Sequence, residues 1–522
     1  MLKKVTSILL CVIMVCSFCL VLTPKAEAAT YTAAQWKDLA GRFQVYLCGD
    51  SNNDMTNSSV KSIVTSIDKN CTTYWTQLKD MRSSGVTKGL FDASIDDPNE
   101  MGWQYIYLWY MARAYGTSGS QYYKNGDLLA DIIYGIDVME NKFYTTSALK
   151  TAQAKPATFN WWDWAYNAPM HLCRILFAIR DDLTTAKVST YGYSSVKSFV
   201  YTQVSRMESM INTVKPVTGI SDEFLLYENR RVRLISWIML ATLRGSYASS
   251  DSELSTAATM MSDSHTALKD FFQDVTAGAD GVNPDGSYIC HEYFAMEGTY
   301  GVEVVVDRLI PAYTLLSGTV FEPTSADCEI LAKWMLNTFH DVTRNGVVLS
   351  MNIGRYPESG VSKGIALVKG ALQLIGCFDT TEELELRQMI RDMVSQSRYA
   401  SYASNLGDVR MVQTLYDVVF DETVEVDREE YAVMRYTTDR AIQHTDSYTV
   451  GLAMSSTRIA THDCTNGRNR YGWYTGDGML YVYNDATGFG FDPYGSNYHK
   501  YANMYRMPGT TEENSTRRTP NS

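Results

Sequence analysis

The sequence predicts an α+β chain with a long helical part followed by a shorter strand-rich part. Three observations carry this. Apolar residues recur at helical spacing from Trp36 to about Leu415, as in Val232 to Leu243 and in Ile365, Val368, Leu372 and Ile375. Turn clusters such as Ala277-Gly278-Ala279-Asp280-Gly281 separate these runs. After the acidic stretch from Asp421 to Glu430 the period changes: Tyr448, Val450, Leu452 and Met454 alternate with smaller or more polar residues. Leu480 to Tyr483, bounded by Asp477-Gly478 and Asn484-Asp485, reads as another strand. With 522 residues the chain is long enough for two domains with large cores.

The elements divide the chain into four stretches. Residues 1–28 read as a secretory leader: Lys3 and Lys4, an apolar run from Ile8 to Leu22, and an Ala26-Glu27-Ala28 cleavage site. Residues 29–420 form the helical domain and 421–513 the strand domain. Residues 514–522 are a polar tail without a strand pattern. The expected location is therefore extracellular. Seven cysteines follow the leader, with no CxxC pair among them. That argues against a zinc site and a disulfide scaffold, and Cys290 reads as a small core residue. The net charge of −12 bears on solubility, whereas local basic clusters such as Arg230, Arg231 and Arg233 bear on a cleft.

The segment richest in chemistry is Asp285-Gly286-Ser287-Tyr288-Ile289-Cys290-His291, with Tyr300-Gly301 nine residues on. It places one of only seven histidines beside a Pro284-Asp285-Gly286 turn signal and near a tyrosine. A His and a Tyr in one site can share the proton transfers of an elimination.

This segment resembles the catalytic segment of polysaccharide lyase family 8, the hyaluronate, chondroitin AC and xanthan lyases. Other stretches agree in order: Asn160-Trp161-Trp162-Asp163-Trp164 with Pro169, Asn229 before an apolar run to Leu243-Arg244, and Asn345-Gly346 through Gly354-Arg355. Gly472-Trp473-Tyr474-Thr475-Gly476-Asp477-Gly478-Met479 and Met507-Pro508-Gly509-Thr510-Thr511 are similar to the family's β-domain motifs. The resemblance implies an incomplete α/α toroid followed by the start of an antiparallel β supersandwich. It also implies a β domain that continues well beyond Glu513, so the chain reads as a truncated or frameshifted product.

The implied reaction is β-elimination at a uronic acid. A base removes the C5 proton, the C4 oxygen leaves with a proton, and the sugar carboxylate must be neutralised meanwhile. The resemblance assigns Asn229 as the amide donor, His291 and Tyr300 as base and acid, and Arg355 as the catalytic-site arginine. An alternative lets Tyr300 act as both base and acid with His291 assisting. Trp161 and Trp162 would offer a flat platform for sugar rings, and Asn469 would hold substrate at the rim. Three departures accompany this. Leu226-Tyr227-Glu228 replaces the usual lead-in to the asparagine, so Thr218-Gly219 marks a possible shifted alignment. Ile353 and Ser359 stand where flanking arginines are usual, and Arg468 replaces a glutamate. The implied partner is a polyanionic polysaccharide, with no cofactor, no metal, no nucleic acid and no membrane once the leader is removed, and the chain reads as a monomer. Two other readings stay open: an α/α-ring glycosidase using Asp163, Asp222 or Glu297 as paired carboxylates, and a non-catalytic sugar-binding protein.

Overall fold

In the computed structural model the described residues are 31–97, 100–155, 159–213, 227–378, 381–426, 430–464, 467–470, 472, 475–503 and 506–509, with backbone alone for 227–232. The leader and the tail after Gly509 lie outside them, as do Asp222 and Thr218-Gly219.

The helical part begins at Ala33–Cys48, whose start is set by a capping box between Thr32 and Gln35. Its buried residues Trp36, Leu39, Ala40, Phe43 and Leu47 recur at helical spacing, so one stripe faces inward. Successive helices follow, among them Ser58–Ser84, Glu100–Gly116, Ala168–Ile179, Tyr227–Ser246 and Asp251–Lys269. Neighbours along the chain pack together, as Tyr227–Ser246 does with Asp251–Lys269. Distant ones also meet. Ala33–Cys48 packs on Tyr227–Ser246, and Tyr399–Asn405 returns to Ser58–Ser84. The run of helical hairpins thereby curls back on its own beginning, which is the incomplete α/α toroid. A close approach fixes one of these contacts: a Cβ on Gly245 would lie 2.2 Å from the Trp36 ring.

Short strands interrupt the helices where the chemistry-bearing segments lie. β1 (Gly281–Val282), β2 (Tyr288–Cys290) and β3 (Phe294–Ala295) form an antiparallel sheet in that order. β4 (Thr343–Arg344) and β5 (Val347–Val348) form a hairpin. The last long-part helix, Met411–Val419, is followed by the four-stranded antiparallel sheet β6 (Tyr431–Arg435), β7 (Arg440–His444), β8 (Tyr448–Ala453) and β9 (Met479–Asn484), each pairing with the next.

The period-two reading of β8 is correct, and its bulkier residues lie on the outer face. Thr449, Gly451 and Ala453 are buried, while Tyr448 and Met454 are exposed. The reason is room: a Cβ on Gly451 would stand 2.6 Å from Met351 Cε, so only small residues fit on the inner face. In β9 the inner face carries Met479, Tyr481 and Tyr483, and Leu480 and Val482 point outward into solvent.

Buried polar groups fasten the sheet to the helical part. Arg344 donates to the Thr445 and Asp446 carbonyls at 2.8 and 2.7 Å and to Asp485 at 2.5 Å. Arg435 donates to the Asp285 and Asn337 carbonyls and reaches Asp341 at 3.0 Å. Asp285 accepts from the Thr437 amide at 2.8 Å and from the Ser287 hydroxyl at 2.5 Å. Asp285→Ala should cost about 2–3 kcal/mol, because a charged acceptor is lost and several donors are left without it. Chemical denaturation measures this, and an unchanged midpoint would refute the fastening role.

Candidate active site

Arg355 sits at the meeting point of the helical part and the strand-rich part. Its Nη1 donates to Tyr300 Oη at 2.8 Å, its Nη2 to His291 Nδ1 at 3.0 Å, and its Nε to Asp463 Oδ2 at 2.5 Å. The guanidinium thus holds three side chains from three segments in its own plane. The His291 and Tyr300 rings lie edge to face with centroids 5.3 Å apart.

Each partner is placed by local structure. His291 and Glu292 close the turn between β2 and β3, and both have left-handed backbone, φ 54° and 68°. Two such non-glycine residues in a row cost about 1–3 kcal/mol each. Asp280 offsets this by accepting both amides, at 3.1 and 2.7 Å. Cys290, next to His291, is wholly buried in β2. Tyr300 lies on Glu297–Leu309, a π-helix of 13 residues, a geometry frequent at functional sites. Gly298 lets this helix touch the arginine segment, since a Cβ there would come within 3.0 Å of Ile353. The Thr299 hydroxyl donates to the Ile353 carbonyl, locking the same contact. Ile353, standing where a flanking arginine was expected, is fully buried.

The donors and acceptors define the protonation pattern. A guanidinium only donates, so His291 Nδ1 accepts and the neutral ring carries its proton on Nε2. Burial, and then the adjacent Arg355 charge, hold His291 below its ordinary value, so the ring is neutral near pH 7. Burial pushes the Tyr300 phenol up, and Arg355 opposes that push. His291 is therefore built to donate from Nε2, and Tyr300 is the group whose oxygen both accepts from a cation and retains a transferable proton.

Asp463 is the residue that the sequence reading missed. Its side chain is completely buried against Arg355. The one available signal was its place six residues before Asn469, just ahead of the glycine-rich β-domain stretch. Asn469 itself reaches the site, donating from Nδ2 to the Gly354 carbonyl at 3.3 Å. Beside it a cavity of about 520 Å³ opens, lined by Arg355, Tyr356, Glu358, Arg468 and Tyr494 among others. Arg468 lies over the Tyr356 ring at 5.5 Å.

Asn229 is the third residue of Tyr227–Ser246, and its side chain lies outside those described. Trp161 and Trp162 do not make one flat platform. Their rings stand 84° apart, and both pack on Tyr166. They open a helical turn, where neighbouring residues point about 100° apart around the axis. Of the glycosidase carboxylates, Asp222 lies outside the described residues, and Asp163 and Glu297 sit in separate hydrogen-bonded settings. Asp163 is buried and accepts from Asn160 and Asn167, and burial raises it to about 7. Glu297 is fully buried and accepts the Tyr288 amide. Among the described residues no group of three or more His, Cys, Asp or Glu side chains is gathered to hold a metal ion.

The helical toroid joined to an antiparallel sheet is the fold this chain shares with solved polysaccharide lyases, and the Tyr–His–Arg–Asp group lies where the two parts meet. Its residues 42–219 and 247–392 match the N-terminal alpha-helical domain of polysaccharide lyase family 8, and residues 431–522 match that family's super-sandwich domain. The chain belongs to polysaccharide lyase family 8. It is 24% identical to the xanthan lyase of Bacillus sp. (strain GL1) over 78% of its length and 42% of the relative's. It is 26% identical to the hyaluronate lyase HylB of Enterococcus faecalis over 78% of its length and 39% of the relative's. The chain thus spans about two-fifths of the length of these curated relatives. Among solved structures, the Streptomyces coelicolor chondroitin AC lyase complex with chondroitin sulphate superposes with a TM-score of 0.75 at 23% identity, covering 92% of this chain and 62% of that one. The Paenibacillus xanthan lyase gives 0.73 at 22%, covering 94% and 43%.

Asp463→Ala should destabilise the fold by about 3–5 kcal/mol, the usual consequence of leaving one member of a buried ion pair alone. A denaturation midpoint equal to that of the parent would show that Asp463 does not support Arg355.

Proposed function

We propose that this protein is a secreted lyase that cleaves uronic-acid-containing polysaccharides by β-elimination, leaving unsaturated uronate ends. The observation that carries the reading is the Arg355 guanidinium holding Tyr300 Oη and His291 Nδ1 side by side within a family 8 chain. In the proposed reaction the Asn229 amide and the His291 Nε2–H neutralise the sugar carboxylate. Tyr300, as phenolate, takes the C5 proton; the electron pair forms the C4–C5 double bond and the C4–O4 bond breaks. Tyr300 then returns a proton to O4. Arg355 stabilises the phenolate, and Asp463 holds Arg355 in register. This differs from a His291 base because Nδ1 is occupied and Nε2 already carries the proton.

Hyaluronan, chondroitin and xanthan are the candidate substrates. Arg468, beside the cavity that opens onto Arg355, offers a cation for an acidic glycan. Trp161, Trp162 and Asn469 are the proposed sugar-binding residues, the two indoles as separate contacts. The buried Ile353 leaves the site less basic and favours a less sulfated chain.

The test is ultraviolet absorbance from the C4–C5 double bond over a panel of hyaluronan, unsulfated and sulfated chondroitin, and xanthan. Tyr300→Phe should lower kcat by roughly 10²–10⁴-fold with little change in KM. New reducing ends without absorbance would indicate a hydrolase, and binding without product a sugar-binding protein.

Two further outcomes follow from the site. With a phenolate base whose pKa burial raises, kcat/KM should climb as pH rises through the neutral range, because the base form grows with pH. A plateau from about pH 6.5 upward would instead assign the base to a histidine of ordinary kind. Arg355→Lys should reduce activity, since an ammonium cannot make three in-plane contacts, and the loss should be larger on sulfated than on unsulfated glycan. Equal, small losses on both would confine Arg355 to local structure.

A further inference from the structure

Asp163 is a buried carboxylate outside the Arg355 group, only 2% exposed. Its hydrogen-bond donors are two side-chain amides rather than a cation: Asn160 Nδ2 at 3.1 Å and Asn167 Nδ2 at 2.6 Å. A carboxylate taken out of water on such terms is costly to keep. Gly102 closes it off, since a Cβ there would stand 2.5 Å from Asp163 Oδ1.

Asn160 passes the constraint to the indoles. Its Oδ1 accepts the Trp162 amide at 3.1 Å, which caps the turn that Trp161 opens. A carboxamide has one accepting end and one donating end. Facing a carboxylate, Asn160 must present its nitrogen there, which leaves its oxygen for Trp162. Without the carboxylate, Asn160 is free to turn over, and its nitrogen then meets the Trp162 N–H. On the other side, Asn167 ends the π-helix Asp163–Asn167. Within that helix Tyr166 receives the Trp161 and Trp162 rings, at centroid distances of 5.5 and 4.9 Å. The same π-helix packs on Glu100–Gly116, Ala168–Ile179, Val196–Thr213 and Tyr227–Ser246, the last of which carries Asn229.

On the reading that Trp161 and Trp162 contact sugar, we propose that Asp163 is a positioning residue for the glycan. Acting through Asn160, Asn167 and Tyr166, it holds the two half-buried indoles in their crossed orientation, 84° apart with centroids 6.1 Å from each other. Asp163 itself touches no sugar. Its effect therefore falls on affinity, not on the proton transfers at Tyr300.

The test combines initial rates by ultraviolet absorbance, on the glycan that the parent cleaves fastest, with circular dichroism. Asp163→Ala should raise KM by about tenfold, the equivalent of one well-placed contact, with kcat within about twofold of the parent. Its near-ultraviolet spectrum should change, because Trp161, Trp162 and Tyr166 lose their fixed geometry, while its far-ultraviolet spectrum stays. Asp163→Asn keeps an oxygen for Asn160, and Asn167 can turn its carboxamide to accept from the new amide, so KM should stay within about threefold of the parent. An exchange pair gives a second reading. Asn160→Asp alone sets two carboxylates face to face and should raise KM. Adding Asp163→Asn swaps donor and acceptor across the same link and should restore KM to within about threefold. A changed far-ultraviolet spectrum in Asp163→Ala leaves the decision to this pair, and no recovery in the double variant would overturn the proposal. A parent-like KM in Asp163→Ala, with KM raised in Trp161→Ala and Trp162→Ala, would overturn it and keep the indoles as sugar contacts. KM unchanged in all three would overturn the sugar-contact reading and the proposal with it.

Discussion

The structure depends on one guanidinium. Arg355 takes a carboxylate from the strand-rich part and presents its remaining nitrogens to a phenol and an imidazole from the helical part. Neither part contains the site alone. In this buried setting the Arg355–Asp463 pair is far stronger than it would be in water, but desolvation consumes most of that gain. Its value lies in position. A planar group with fixed donor directions sets the mutual orientation of Tyr300 and His291, and fixes which histidine nitrogen carries the proton.

Holding Arg355 there requires the backbone to do unusual things around it. The π-helix that carries Tyr300 comes against the arginine segment because Gly298 has no side chain, and the left-handed turn at His291 survives because Asp280 accepts two of its amides. Arg344 and Arg435 then spend most of their hydrogen bonds on backbone carbonyls between helices and sheet. These contacts make the relative placement of Asp463 and Tyr300 a property of the whole junction.

Much of this was legible in the sequence, for identifiable reasons. Helical and strand periods are local, so the change of period after Asp421–Glu430 marked the passage from helices to the sheet. His291, Tyr300 and Arg355 sat in segments dense with turn glycines, and the structure brings them together. Asp463 carried no such mark: a single carboxylate in a loop looks like any other until the fold turns it inward. The Trp161–Trp162 platform failed because adjacency in a sequence is not adjacency of faces on a helix. Which face of β8 turns inward could not be read from the alternation alone, because Met351, from a distant segment, occupies the inner space beside Gly451.

The central claim is elimination without water, and mass spectrometry of products formed in ¹⁸O-labelled water tests it most directly. The account predicts that a uronic-acid glycan is cut into one fragment with an intact chain end and one with an unsaturated uronate, neither carrying the heavy oxygen from the cleavage. Incorporation of one ¹⁸O at the broken linkage, with a saturated uronate end, would contradict it.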